Sequence, residues 1–175
     1  MRGLSLWQPW ASLCGIGAKE YETRSWPTRY RGRIAIHAAK KSYHASIHAT
    51  FDRAAGELDF IHAVDIATGG LCPMEYPLGA YVATATLAQC FWVFGCGYPD
   101  AGVRIVRDID TGKTRELHLS ERELLFGDWS SGRFVWRLED VRALAAPVPA
   151  VGRQGLWIIN ETTELELASL ERAVR

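Results

Sequence analysis

Leu4-Ser5-Leu6-Trp7-Gln8-Pro9-Trp10-Ala11-Ser12-Leu13, followed by Gly17-Ala18-Lys19-Glu20-Tyr21-Glu22-Thr23-Arg24-Ser25-Trp26, is the stretch that decides the fold. Gly3 to Leu6 reads as a short strand. Pro9 suits the first turn of a helix through Trp10-Ala11-Ser12-Leu13, because its missing N–H is unneeded there and its φ is already helical. Gly15 and Gly17 stop that helix, and Tyr21 to Arg24 alternates as a second strand. The chain therefore opens as strand, two-turn helix, glycine-marked connection and strand.

The step from Lys19 to Glu22 carries a geometric condition. In a regular strand Lys19, Tyr21 and Thr23 face one way, and Glu20, Glu22 and Arg24 the other. Lys19 and Glu22 share a pocket only if Lys19 lies in the helix-to-strand connection, which Gly15 and Gly17 permit by allowing positive φ. Glu22 and Arg24 then share a face. A cation able to contact a phosphate or carbonyl oxygen, beside a carboxylate able to accept from an exocyclic amine, suits a nucleobase. Taken singly, such charges on a strand are commonly solvated or loosely paired.

Outward from this stretch, Arg33 to Ala38 alternates as a strand after the Pro- and Gly-marked basic loop Ser25 to Gly32. Residues from about 41 to 67 carry apolar side chains at helical spacings, with Gly56 a break, and read as two helices or one kinked helix. Gly79 to Phe94 is a long β-rich run without proline. Asp110-Thr111-Gly112-Lys113 has turn chemistry between Val103–Asp108 and Thr114–Leu119, which predicts a hairpin appended to the core within an insertion at about 97–131. Further strands are expected near 134–145 and 156–160, and Asn160 suits the cap of a terminal helix. Many short strands with few helices predict an α+β fold built on a small β-barrel, as a single domain over 1–175.

With 20 Lys+Arg against 20 Asp+Glu in 175 residues, the chain has no net charge to steer it toward nucleic acid or membrane, and 48% apolar residues supply an ordinary core. No apolar run approaches the roughly 18 residues of a membrane span, and Gln8 and Pro9 interrupt any secretory apolar segment. A cytoplasmic location without membrane partners is the expectation. Charge is segmental all the same. Between residues 19 and 41 lie Lys19, Arg24, Arg29, Arg31, Arg33, Lys40 and Lys41 against Glu20 and Glu22, interleaved with Tyr21, Trp26 and Tyr30, with Trp7 and Trp10 upstream. Basic groups among aromatic faces track phosphates and stack bases. Cys14, Cys72, Cys90 and Cys96 lack metal spacing and read as reduced, mostly buried thiols. His44 and His48 share a helical face without an acidic base between them, and no Gly-rich phosphate loop occurs, so neither metal nor cofactor is expected.

These motifs resemble the ASCH domain family, whose signature Gly-x-Lys-x-x-Glu-x-Arg is met at Gly17, Lys19, Glu22 and Arg24, after the Gln8-Pro9-Trp10-Ala11 helix start. Arg31 to Ala38, Gly132 to Leu138 and Pro147 to Trp157 are similar to later strands of that family. Residues 97–131 match nothing in it. The resemblance implies a PUA-like β-barrel flanked by helices, with a cleft beside the signature associated with RNA or modified-nucleotide recognition.

RNA, or a modified nucleoside, is the expected partner, held by Lys19, Glu22, Arg24, Trp10 and Trp26 with Arg29, Arg31, Arg33, Lys40 and Lys41 on its backbone. The alternative is a hydrolase acting on acylated cytidine nucleosides or on RNA. Some members of the family the chain resembles remove an acyl group from acetylated cytidine with a Lys and a Thr, and Glu22 stands in place of that Thr. Glu22 would then be the general base on water and Lys19 the oxyanion partner. Glu75 or Asp128 would supply a further carboxylate. A protein-interaction scaffold is the third reading.

Overall fold

The computed structural model describes residues 1–50, 55–96 and 102–173. Its elements in order are β1 (Arg2–Leu6), α1 (Trp10–Gly15), β2 (Tyr21–Arg24), β3 (Gly32–Ala38), α2 (Tyr43–Thr50), α3 (Ala55–Thr68), a 3-10 turn at Pro73–Glu75, β4 (Ala80–Cys96), β5 (Val103–Asp108), β6 (Thr114–His118), α4 (Glu121–Phe126), β7 (Phe134–Pro149), β8 (Leu156–Ile158), α5 (Glu161–Leu170) and β9 (Glu171–Ala173). This is a mixed α+β fold.

The expected closed barrel is corrected. Among the described residues the hydrogen-bonded order is β2-β7-β4-β3-β1-β8, with β5 and β6 carried on β4 and β9 on β7, and the path does not close. The reason lies in strand length. β4 has 17 residues and β7 has 16, long enough to change neighbours along their length, so each takes three partners and the sheet branches. The helical block expected over 41–67 is α2 and α3, with Gly56 at the start of α3, while residues 51–54 lie outside the described residues.

Two compact units divide the chain. The first comprises Met1–Ala18, Arg33–Thr86 and Asp140–Arg175. Here β1 runs parallel to β3, with Ser5 opposite His37, and antiparallel to β8. The side chain of Gln8 accepts from Ser12 N at 3.1 Å and donates to Pro77 O at 2.9 Å, so a fully buried amide satisfies the start of α1. Asn160 caps α5 by accepting from Thr163 N at 2.8 Å. Ala35, Tyr81, Val148, Ile159 and Leu167 form a core cluster of this unit. Burying an aliphatic side chain such as Leu167 fully contributes about 1.5–3 kcal/mol.

The second unit comprises Lys19–Gly32 and Leu87–Glu139. β2 and β7 pair antiparallel, with Glu22 opposite Trp136 and Arg24 opposite Phe134. β5 and β6 form a hairpin whose turn is tied by Asp108, accepting from Asp110 N and Thr111 N at 2.8 and 2.9 Å, with Gly112 at φ 70°. Phe91, Val93, Val106, Leu117, Trp129 and Val135 pack together on one face of this part of the sheet. Trp136 and Leu138 are buried and Phe134 partly so, in step with strand alternation, but Val135 is buried as well. This portion of β7 is covered on both faces.

Candidate nucleic-acid site

The helix-to-strand connection turns at Gly17, whose φ of 72° suits glycine, and Lys19 lies before β2 rather than within it. Its ammonium is thereby freed from strand alternation. Lys19 Nζ lies 3.9 Å from Glu22 Oε2 and 3.8 Å from Glu123 Oε1, and it donates to Tyr21 O. Glu22 Oε1 in turn lies 3.1 Å from Arg24 Nε, as expected for positions i and i+2 on one strand face. Two cations and two carboxylates thus alternate in one neutral network.

Burial grades this network. The Lys19 side chain is 1% exposed and that of Glu22 9%, against 25% for Arg24. Lys19 works from beneath, directed at the Tyr21 carbonyl and both carboxylates, and Arg24 is the part that solvent reaches. The cross-strand partner of Glu22 is Trp136, fully buried on the same face. Against Trp136 stands the half-buried Trp26, edge to face with centroids 4.5 Å apart. Among the described residues the Trp136 indole N–H meets no hydrogen-bond acceptor.

Glu123 was not legible as a site residue. Its Oε2 accepts from Glu20 N at 3.0 Å and its Oε1 from Tyr21 N at 3.1 Å, so it fixes the backbone entering β2 as well as Lys19. Burial pushes its carboxyl above the ordinary range, opposed by the nearby Lys19 charge and by those two N–H donors. In sequence, Ser120-Glu121-Arg122-Glu123 spells a helix start, and Ser120 Oγ does accept from Glu123 N at 3.1 Å. The Glu123 side chain, however, crosses to β2 instead of returning to its own helix. Neither carboxylate expected from sequence takes this place. Glu75 accepts from Cys72 N at 2.8 Å within the first unit, and Asp128 pairs with Arg133 at 3.2 Å.

The remaining predicted residues are distributed. Trp10 belongs to the first unit, where its ring centroid lies 5.3 Å from that of Phe60 in α3. Arg31 pairs with Asp110 at 2.6 Å and donates to Thr28 O and Tyr30 O. Arg33 meets Asp140 and Glu171, and the Lys41 ammonium sits 3.4 Å above the Trp7 ring centroid. Arg29 and Lys40 are exposed. The local excess of positive charge is therefore partly neutralised by carboxylates distant in sequence. Cys14 and Cys90 are buried free thiols and Cys72 is exposed. His44 is exposed, and the His48 side chain lies outside the described residues. No group of three metal-binding side chains occurs among the described residues, and none of their helices is long and apolar enough to cross a membrane.

Residues 4–101 match the ASCH domain family. Over 92 residues, 50% of this chain, the sequence is 34% identical to activating signal cointegrator 1 of Homo sapiens, and it matches the Mus musculus protein to the same extent. That stretch is 14% of the relative's length in each case, so the chain spans a small part of the curated proteins it matches. Crystal structures of ASCH from Zymomonas mobilis and of a point mutant of it share the fold, each with a TM-score of 0.50 at 16% identity, over 98% or more of this chain and 97% or more of theirs.

Proposed function

Because the chain belongs to the ASCH domain family, we propose that it binds RNA and reads a base, standard or modified, with Glu22, Arg24 and Trp26. The observation that carries this reading is the placement of Glu22, whose carboxylate is held between Lys19 Nζ at 3.9 Å and Arg24 Nε at 3.1 Å, on the strand face it shares with Trp136. A buried acceptor fixed in this way rewards a ligand donor that matches it and penalises one that does not. Trp26 offers a ring for stacking, backed by Trp136. Lys19 and Glu123 hold the constellation and do not touch the ligand. Arg29 is an exposed cation of the same unit, open to a flanking phosphate.

The network's charges cancel, so selectivity comes from matched hydrogen bonds and stacking rather than from attraction to phosphate. Titration of tryptophan fluorescence with RNAs carrying standard and modified bases tests the reading. Wild type should single out one base, and Glu22→Gln should weaken that ligand by at least about tenfold while changing random RNA little. Indistinguishable binding of all RNAs by both proteins would overturn it.

One observation favours a hydrolase as the second reading: Glu123 brings another carboxylate to Lys19. It ranks second because the Lys19 ammonium already faces the Tyr21 carbonyl and two carboxylates, leaving it poorly aimed at a substrate oxyanion. Release of acid from acylated nucleosides, followed by mass spectrometry and lost in Glu22→Gln, would favour it.

A further inference from the structure

The β5–β6 hairpin lies beyond residue 101, where the family match ends, and its first strand pairs with the last residues of β4, from Phe91 to Cys96. Trp92 and Phe94 lie there with ring centroids 5.4 Å apart and planes at 82°. The ladder shifts register between Val93 and Gly95, making Phe94 the extra residue of a bulge, and bulges re-aim side chains. Phe94 is 53% exposed, whereas Phe91 and Val93 beside it are fully buried. Directly opposite Trp92 on β5 stands Arg107, itself exposed, with its guanidinium carbon 6.0 Å from the Trp92 centroid and 5.6 Å from that of Phe94. Among the described residues Arg107 meets no carboxylate.

We propose that Trp92, Phe94 and Arg107 form a second nucleic-acid contact, a stacking platform for single-stranded RNA that takes any base. Two rings at a steep angle make a corner in which a base laid on one meets the edge of the other. The guanidinium over both rings supplies the positive charge that the adjoining phosphate requires. Stacking on a ring face accepts every base, so the corner grips without reading sequence. The choice of RNA as partner rests on the reading given above for Glu22, but the residues are independent of that site.

The test uses the full chain and single-stranded oligouridine and oligoadenosine of about ten nucleotides, within the usual range for one small domain. Phe94→Leu, which keeps an apolar side chain but removes the ring, should weaken both by roughly 5- to 150-fold, and Phe94→Tyr should retain binding. Arg107→Gln should lower the log–log salt slope by about 0.7. Both positions are exposed, and unchanged thermal unfolding of the variants would show that folding is not the cause. Equal affinity of wild type and Phe94→Leu for both oligonucleotides would overturn the platform, even if Glu22→Gln abolished preference for a particular base. Conversely, loss in Phe94→Leu with no effect of Glu22→Gln would support the platform and remove the base reader.

Discussion

Lys19 and Glu123, from the two separate segments of the second unit, meet with Nζ 3.8 Å from Oε1, and each also holds the backbone that enters β2. Both side chains are almost wholly removed from solvent. Removing the cation leaves Glu22 and Glu123 buried without their shared partner, whereas removing a surface charge costs little. Lys19→Met should therefore destabilise the protein by about 3–5 kcal/mol, measured by urea unfolding, while Arg29→Met should change stability by less than about 0.5 kcal/mol. Equal small effects would mean that the network does not order this connection.

Glu123 should also be visible in the pH dependence of stability. Burial raises its carboxyl from the ordinary 4.5, so the native state retains a proton that the unfolded chain has released. Stability then falls as pH rises from 4.5 through the folded value and levels beyond it. Glu123→Gln should flatten that segment. Asp108 and Asp128 do not confuse the measurement, because burial, which alone would raise their carboxyls, is outweighed by hydrogen bonds that hold them below the ordinary 3.8, and their contributions disappear only as pH falls below that value.

His37 should contribute the opposite slope. Burial lowers its imidazole from the ordinary 6.5, against the hydrogen bond between Nε2 and Ala150 O. With the ring neutral, Nε2 donates to that carbonyl and Nδ1 accepts from Ser5 Oγ at 3.1 Å. The unfolded chain therefore binds a proton first, and stability falls as pH drops from 6.5 through the folded value. In His37→Gln, unfolding followed from about pH 7.5 down to pH 5 should lose this dependence, whatever the variant's overall stability.

Gly152 closes over the same histidine. A Cβ built there would come within 2.6 Å of Ser5 Oγ and 2.5 Å of His37 Nδ1. Gly152→Ala should thus cost about 1–3 kcal/mol by overpacking, read as a lower midpoint in urea. A neutral outcome would mean that the 150–155 segment moves aside freely.

What the sequence revealed and what it withheld divide along physical lines. Local signals survived: the Asp110 to Lys113 turn, the Asn160 cap and the displacement of Lys19 from β2 each follow from a few neighbouring residues and a strict backbone rule. Partnerships across long separations did not. Arg33 pairs with Asp140 and Glu171, far from it in sequence, and Glu123 reaches the backbone that enters β2, neither of which local spacing reveals. Barrel closure was misjudged for a similar reason, since alternation shows that β4 and β7 are strands but not that each exchanges neighbours along its length.

Photo-crosslinking of wild-type protein to its preferred RNA, followed by tryptic mapping, tests the base-reading site most directly. Crosslinks should fall on the peptides that span Glu20–Arg24 and Ser25–Arg29, which carry Glu22, Arg24 and Trp26. They should disappear in Glu22→Gln under the same conditions. Crosslinks absent from both peptides, with the RNA bound and attached elsewhere, would contradict it.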